Sequence, residues 1–182
     1  LVGAEVAYIL KNSAAKAVVC SPRFAEISGH EVELRFCTGE IEGFESCSVL
    51  KSGSVAPLET RLAGGIMNYT SGTTGQPKGV KRPLPPVPPE PVVTGYASFL
   101  LMFGMTPRQG VQIVGSPLYH TAVLYFSSSA LHLGHTVVLM EKWTPEGMLQ
   151  LIEKYQVTHS HMVPTQFHRL LKLDEGIRNR YA

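Results

Sequence analysis

Tyr69-Thr70-Ser71-Gly72-Thr73-Thr74-Gly75-Gln76-Pro77-Lys78-Gly79-Val80 packs three glycines, four Ser and Thr hydroxyls and one lysine into twelve positions. The apolar stretch Gly65-Ile66-Met67-Asn68-Tyr69 runs into it and reads as a strand feeding a flexible turn. Glycine lets a backbone take positive φ and bring its N–H groups close to a ligand with no Cβ in the way. The hydroxyls add hydrogen-bond donors, and Lys78 adds a mobile positive charge suited to phosphate oxygens. Successive N–H groups lining a concave turn form an anion-binding nest. The physical reading is a clamp for a triphosphate.

A turn of this composition also serves as a plain loop, because Ser, Thr and Gly supply turn conformations at little steric cost. The P-loop spacing is not met: no glycine directly precedes Lys78, and Gly79 stands where that pattern needs Ser or Thr. Composition alone leaves both readings open. The full string, however, resembles the signature of the adenylate-forming superfamily: acyl-CoA synthetases, luciferases and peptide-synthetase adenylation domains. Its form there is an aromatic or similar residue, then TSG, Thr or Ser, TG, any residue, PKG and V. Every position from Tyr69 to Val80 satisfies it.

The resemblance implies a two-step reaction. A carboxylate attacks the α-phosphorus of ATP to give an acyl-adenylate and pyrophosphate, and a thiol, typically coenzyme A, then takes the acyl group. Joining two anions requires neutralised charge and oxygens held in line. On this resemblance Thr70, Ser71, Gly72, Thr73, Thr74, Gly75 and Lys78 hold the phosphates, Lys78 has a catalytic role, and Thr73 (or Thr74) reaches Mg²⁺.

A second constellation is Ser116-Pro117-Leu118-Tyr119-His120, at a predicted strand-to-helix junction. Ligands of open α/β sheets bind at the carboxyl ends of strands, which places Tyr119 and His120 to line a pocket. A single histidine is more often a packing or solvent-facing residue. The segment resembles the superfamily's Pro, Leu or Met, Phe or Tyr, His run, which implies that Tyr119 and His120 contact the acid and that His120 lies near its carboxylate. Val163-Pro164-Thr165 resembles a turn of acyl-CoA synthetases and carries little chemistry. His159 and His161, two apart in a predicted strand, share a face. No third ligand is suitably spaced, so they read as ordinary histidines.

The 182 residues carry a formal charge of +2 and only 16% charged side chains. No basic stripe interleaved with aromatics is present, which argues against nucleic acid as a partner. Cys20, Cys37 and Cys47 lack metal or redox spacing and suit small buried hydrophobes in a reduced, cytoplasmic compartment. The apolar run Val92–Met105 is too short and mixed to span a bilayer. The chain begins at Leu1 within helical periodicity, so its true start is expected upstream.

Periodicity predicts a helix over residues 2–12, a short buried strand over 16–20 and a half-exposed strand over 31–36. Residues 37–62 read as loop with a strand at Ser48–Leu50. Residues 82–91 hold six prolines in ten positions, a composition incompatible with helix and suited to a stiff connector. Beyond it come a buried helix over 92–105, a strand over 111–115, a helix over 122–133, a strand over 135–140, a helix opening at Thr144-Pro145-Glu146, a strand over 157–163 and a helix over 166–173. This alternation argues for a parallel sheet with crossovers.

The expected fold class is α/β, with layered, mostly parallel sheets flanked by helices. Residues 1–182 read as part of one large N-terminal adenylation domain, with loop 69–80, connector 82–91 and no small C-terminal domain. The family's adenine, ribose and hinge segments are not found, so the isolated chain is expected not to make acyl-adenylate. The expected activity is ATP-dependent conversion of a carboxylic, in particular fatty, acid to its CoA thioester. A non-catalytic nucleotide-binding piece and a peptide-synthetase adenylation domain are the alternatives.

Overall fold

A computed structural model describes residues 3–27, 32–54, 56, 58–70 and 77–181. The chain divides into two compact units, residues 1–86 and 87–182.

The first unit opens with helix α1 (Gly3–Asn12), which ends where Ala14 takes a left-handed conformation and Ala15 N–H donates to Leu10 C=O. Strands β1 (Ala17–Cys20), β2 (Leu34–Cys37) and β3 (Glu45–Ser46) form a parallel sheet in that order. A 3₁₀ segment, Pro22–Ile27, follows β1. The β1 strand is less buried than its composition predicts, with Val19 59% exposed. In β2 the alternation also fails: Leu34 is 46% exposed while Cys37 is fully buried. The strand expected at Ser48–Leu50 is instead one turn of helix α2 (Val49–Ser52), and the sheet position goes to Glu45–Ser46. Tertiary pairing decides this, since Phe36 and Cys37 register with Glu45 and Ser46, overriding the β preference of Val49. An antiparallel hairpin, β4 (Asn68–Thr70) and β5 (Lys78–Val80), completes the unit.

In the second unit, α3 (Pro89–Leu101) begins inside the proline-rich run, so the non-helical connector ends at Pro88, not Pro91. First-turn N–H groups have no intrahelical acceptor, so Pro89 and Pro91 give up no bond there. The helix stops at Leu101, before the expected end, and only Ala97 and Leu100 in it are buried. Strands β7 (Thr136–Leu139), β6 (Val111–Val114) and β8 (His159–Ser160) form a parallel sheet with β6 in the middle. Gln112, Ile113 and Val114 are all under 5% exposed. Because successive strand residues face opposite ways, β6 is covered on both faces. Helix α4 (Thr121–His132) joins β6 to β7, α5 (Pro145–Tyr155) joins β7 to β8, and α6 (Pro164–Leu171) and α7 (Glu175–Arg178) follow. Ala97, Leu100, Ala130 and Leu133 make the core between α3 and α4. Thr144 caps α5 as its sequence predicts, its hydroxyl accepting from Gly147 N–H at 3.1 Å. No helix among the described residues is long and apolar enough to cross a membrane.

Candidate functional site

The described ends of the signature string pair as antiparallel strands. Its strands pair Asn68 with Val80, Tyr69 with Gly79 and Thr70 with Lys78. Ser71, Gly72, Thr73, Thr74 and Gly75, predicted to hold phosphate and, for Thr73, metal, lie outside the described residues. Of the predicted phosphate ligands, Thr70 and Lys78 are described, and both are exposed. Directly opposed residues of an antiparallel ladder put their side chains on one face. A hydroxyl and an ammonium are thus brought to the same side, at the two ends of residues 71–77.

Two interactions fix this hairpin. Tyr69 Oη donates to Asn12 Oδ1 at 2.7 Å, with the Ile9 carbonyl at 3.4 Å, and so ties β4 to the end of α1. The Tyr69 ring then lies over Gly79: a Cβ built there would sit 2.9 Å from Tyr69 Cζ and 2.4 Å from Met67 Cε. The aromatic and the glycine of the signature therefore fit together as a packing pair. Sequence reading gave neither this contact nor Asn12.

In the second unit, His120 is the extended residue capping α4, with φ −78° and ψ 129° and no side-chain cap bond. Its N–H donates to Pro117 C=O at 3.1 Å, and its C=O accepts from Leu124 N–H at 3.0 Å. With the backbone satisfied, the imidazole is exposed and lies against Tyr119, ring centroids 4.6 Å apart. Tyr119 is itself 78% exposed. Tyr119 and His120 thus lie at the junction between the carboxyl end of β6 and α4, both exposed to solvent.

Gln166, which the sequence did not flag, holds that junction. Its Nε2 donates to Gly115 C=O at 3.1 Å and its Oε1 accepts from Val163 N–H at 3.1 Å. The residue is 7% exposed. Gly115 leaves room for Trp143, whose Cδ1 would lie 2.4 Å from an added Cβ. One amide therefore binds the end of β6 to the start of α6.

His159 and His161 do not act as a pair. His161 stacks on Phe126 at 4.9 Å, whereas His159 Nε2 lies 3.4 Å from Nδ1 of buried His135. His135 Nε2 donates to Thr106 C=O at 2.8 Å. Burial, and secondarily His135, hold His159 below its ordinary pKa of 6.5. A cavity of about 170 Å³ opens beside them, lined by Met105, Thr106, Gly110 and Thr158 among others. Among the described residues no three potential metal ligands cluster.

Residues 1–181 match the family described as AMP-binding enzyme. The chain belongs to that family. Within it, the 2-succinylbenzoate–CoA ligase of Listeria monocytogenes is 26% identical over 176 residues, 94% of this chain and 34% of that protein. The medium/long-chain-fatty-acid–CoA ligase of Mycobacterium tuberculosis is 29% identical over 105 residues, 58% of this chain and 17% of that protein. Among solved structures, O-succinylbenzoate coenzyme A synthetase of Bacillus subtilis in complex with AMP shares the fold. Its TM-score is 0.67 at 24% identity, over 98% of this chain and 45% of that one. The chain spans about a third of the length of the Listeria ligase. The α/β class read from the sequence is the fold of AMP-binding enzymes.

Proposed function

We propose that these residues serve an enzyme that activates a carboxylic acid with ATP, through an acyl-adenylate, and passes the acyl group to coenzyme A. The observation that carries this reading is the antiparallel pairing that holds Thr70 and Lys78 on one face, flanking the Ser/Thr/Gly-rich sequence between them. That arrangement suits polyphosphate: the ammonium offsets charge, the hydroxyl donates, and neither side chain is buried. Lys78 lowers the cost of bringing a carboxylate to a phosphate by neutralising the departing pyrophosphate. Mg²⁺ would add charge neutralisation at the phosphates, with Thr73 its proposed ligand. Tyr119 and His120 take the acid, the exposed imidazole offering an N–H to the carboxylate while Tyr119 packs against the ring.

The names of the relatives span an aromatic acid and fatty acids. The acid proposed here is therefore a monocarboxylate or dicarboxylate with an apolar body, fatty acids included, and the location proposed is cytoplasmic. Residues 1–182 are proposed to contribute part of one adenylation domain. The test is exchange of labelled pyrophosphate into ATP by the natural protein carrying these residues, across fatty, aromatic and sterol-derived acids. Exchange with one class names the substrate. ATP binding without exchange for any acid would instead support a non-catalytic nucleotide module.

A further inference from the structure

Cys20 and Cys37 end adjacent parallel strands and are direct register partners. Registered residues of parallel strands point to the same face, so the two thiols are neighbours. The strands lie about 4.8 Å apart, inside the roughly 4.4–6.8 Å Cα separation a disulfide spans and near its lower limit. The register is held beyond the thiols as well. Thr38 N–H donates to Cys20 C=O at 3.0 Å, and Cys47 N–H donates to Cys37 C=O at 2.8 Å. The two strand exits also touch, a Cβ at Gly39 coming within 2.6 Å of Pro22 Cγ. Cys47 lies just beyond β3, after Ser46, the register partner of Cys37. None of the three cysteines forms a disulfide.

We propose that Cys20 and Cys37 form a reversible thiol–disulfide site, oxidised by a hydroperoxide, with Cys20 attacking first and Cys37 resolving. Exposure sets the order: Cys20 is half-buried and Cys37 fully buried. The Cys20 thiolate attacks a peroxide oxygen; the O–O bond breaks, hydroxide leaves and takes up the thiol proton as water, and Cys20 becomes a sulfenic acid. The Cys37 sulfur then attacks the Cys20 sulfur, the S–O bond breaks and a second water leaves. Two thiols lose two electrons and two protons, and hydrogen peroxide becomes two waters. The product is a disulfide that a dithiol can reduce again by exchange. Its formation ties together the carboxyl ends of β1 and β2. The inference does not depend on the proposed ligase activity.

The experiment treats the reduced whole chain with one equivalent of hydrogen peroxide, alkylates remaining thiols and digests after glutamate. Glu40, Glu42 and Glu45 separate Cys37 from Cys47, so the peptides report each cysteine independently. The expected product has lost two hydrogens, contains one Cys20–Cys37 cross-linked peptide with Cys47 alkylated, and returns to the starting mass with dithiothreitol. Cys47→Ser should give the same product and Cys20→Ser none. Because Cys37 is fully buried, the assignment rests on the wild-type map and these two variants. A Cys37–Cys47 or Cys20–Cys47 link, an intermolecular link, sulfinic acid at Cys20, or no reaction would overturn it.

Discussion

Thr70 and Lys78 stand directly opposite one another across the β4–β5 ladder, and residues 71–77 lie between them in the chain. The pairing gives the lysine a defined side to act on. Lys78→Ala is expected to reduce acid-dependent pyrophosphate exchange roughly tenfold to hundredfold, since a charge-assisted contact contributes about 1.5–3 kcal/mol. The hairpin should be unaffected, because the Lys78 side chain is exposed. Unchanged exchange in a folded variant would remove Lys78 from the phosphate site.

Gly79→Ala tests the packing of the signature. Met67 Cε, the end of a flexible side chain, can move away from the new Cβ. The Tyr69 ring is pinned by its bond to Asn12 and cannot move without breaking it. Overpacking of this sort costs about 1–3 kcal/mol, read as a lower denaturant midpoint. Asn12→Ala in the same background should then cost less than it does in the wild type.

Gln166→Leu removes both partners of the β6–α6 junction. It leaves Gly115 C=O and Val163 N–H without the side chain that satisfies them, and a buried polar group left unpaired costs about 1–3 kcal/mol. Loss of stability without displacement of the Tyr119 and His120 signals in an NMR spectrum would confine Gln166 to a structural role. Displacement of both would show that it positions the acid site.

The depressed pKa of His159 has a stability consequence. The folded state resists protonation there more than the unfolded state does, so between the folded value and about 6.5 the unfolded chain binds more protons and stability rises with pH. The contribution is complete above the ordinary value of 6.5 and is lost as pH falls through the window below it. Urea midpoints from about pH 5 to about pH 7.5 should climb more steeply for the wild type than for His159→Gln. Parallel slopes would contradict the burial of that imidazole.

The second unit was the more legible in sequence because its strands and helices carry unambiguous periods. The run around Ile113 and the Thr144-Pro145-Glu146 cap each specify their element locally. The first unit was harder. Glu45–Ser46 has no strand character and pairs only because Cys37 presents a parallel edge to it. In the second unit the exception was the start of α3, where Pro89 and Pro91 read as helix breakers yet at a first turn forfeit nothing. At the candidate site, the signature and Tyr119–His120 were visible as strings of residues. The residues that hold them, Asn12 and Gln166, were not, because each acts across a long sequence separation and neither belongs to a motif. The His135–His159 contact escaped for the same reason: its partners lie 24 residues apart.

The proposed reaction cleaves ATP at its α-phosphorus by attack of a carboxylate. Phosphorus NMR of the natural protein carrying these residues, with ATP, Mg²⁺ and each acid in turn, reads the cleavage products directly. AMP and pyrophosphate are the expected products, formed only when an acid is present and more slowly with Lys78→Ala. ADP and inorganic phosphate, formed at the same rate with or without acid, would contradict the proposed reaction.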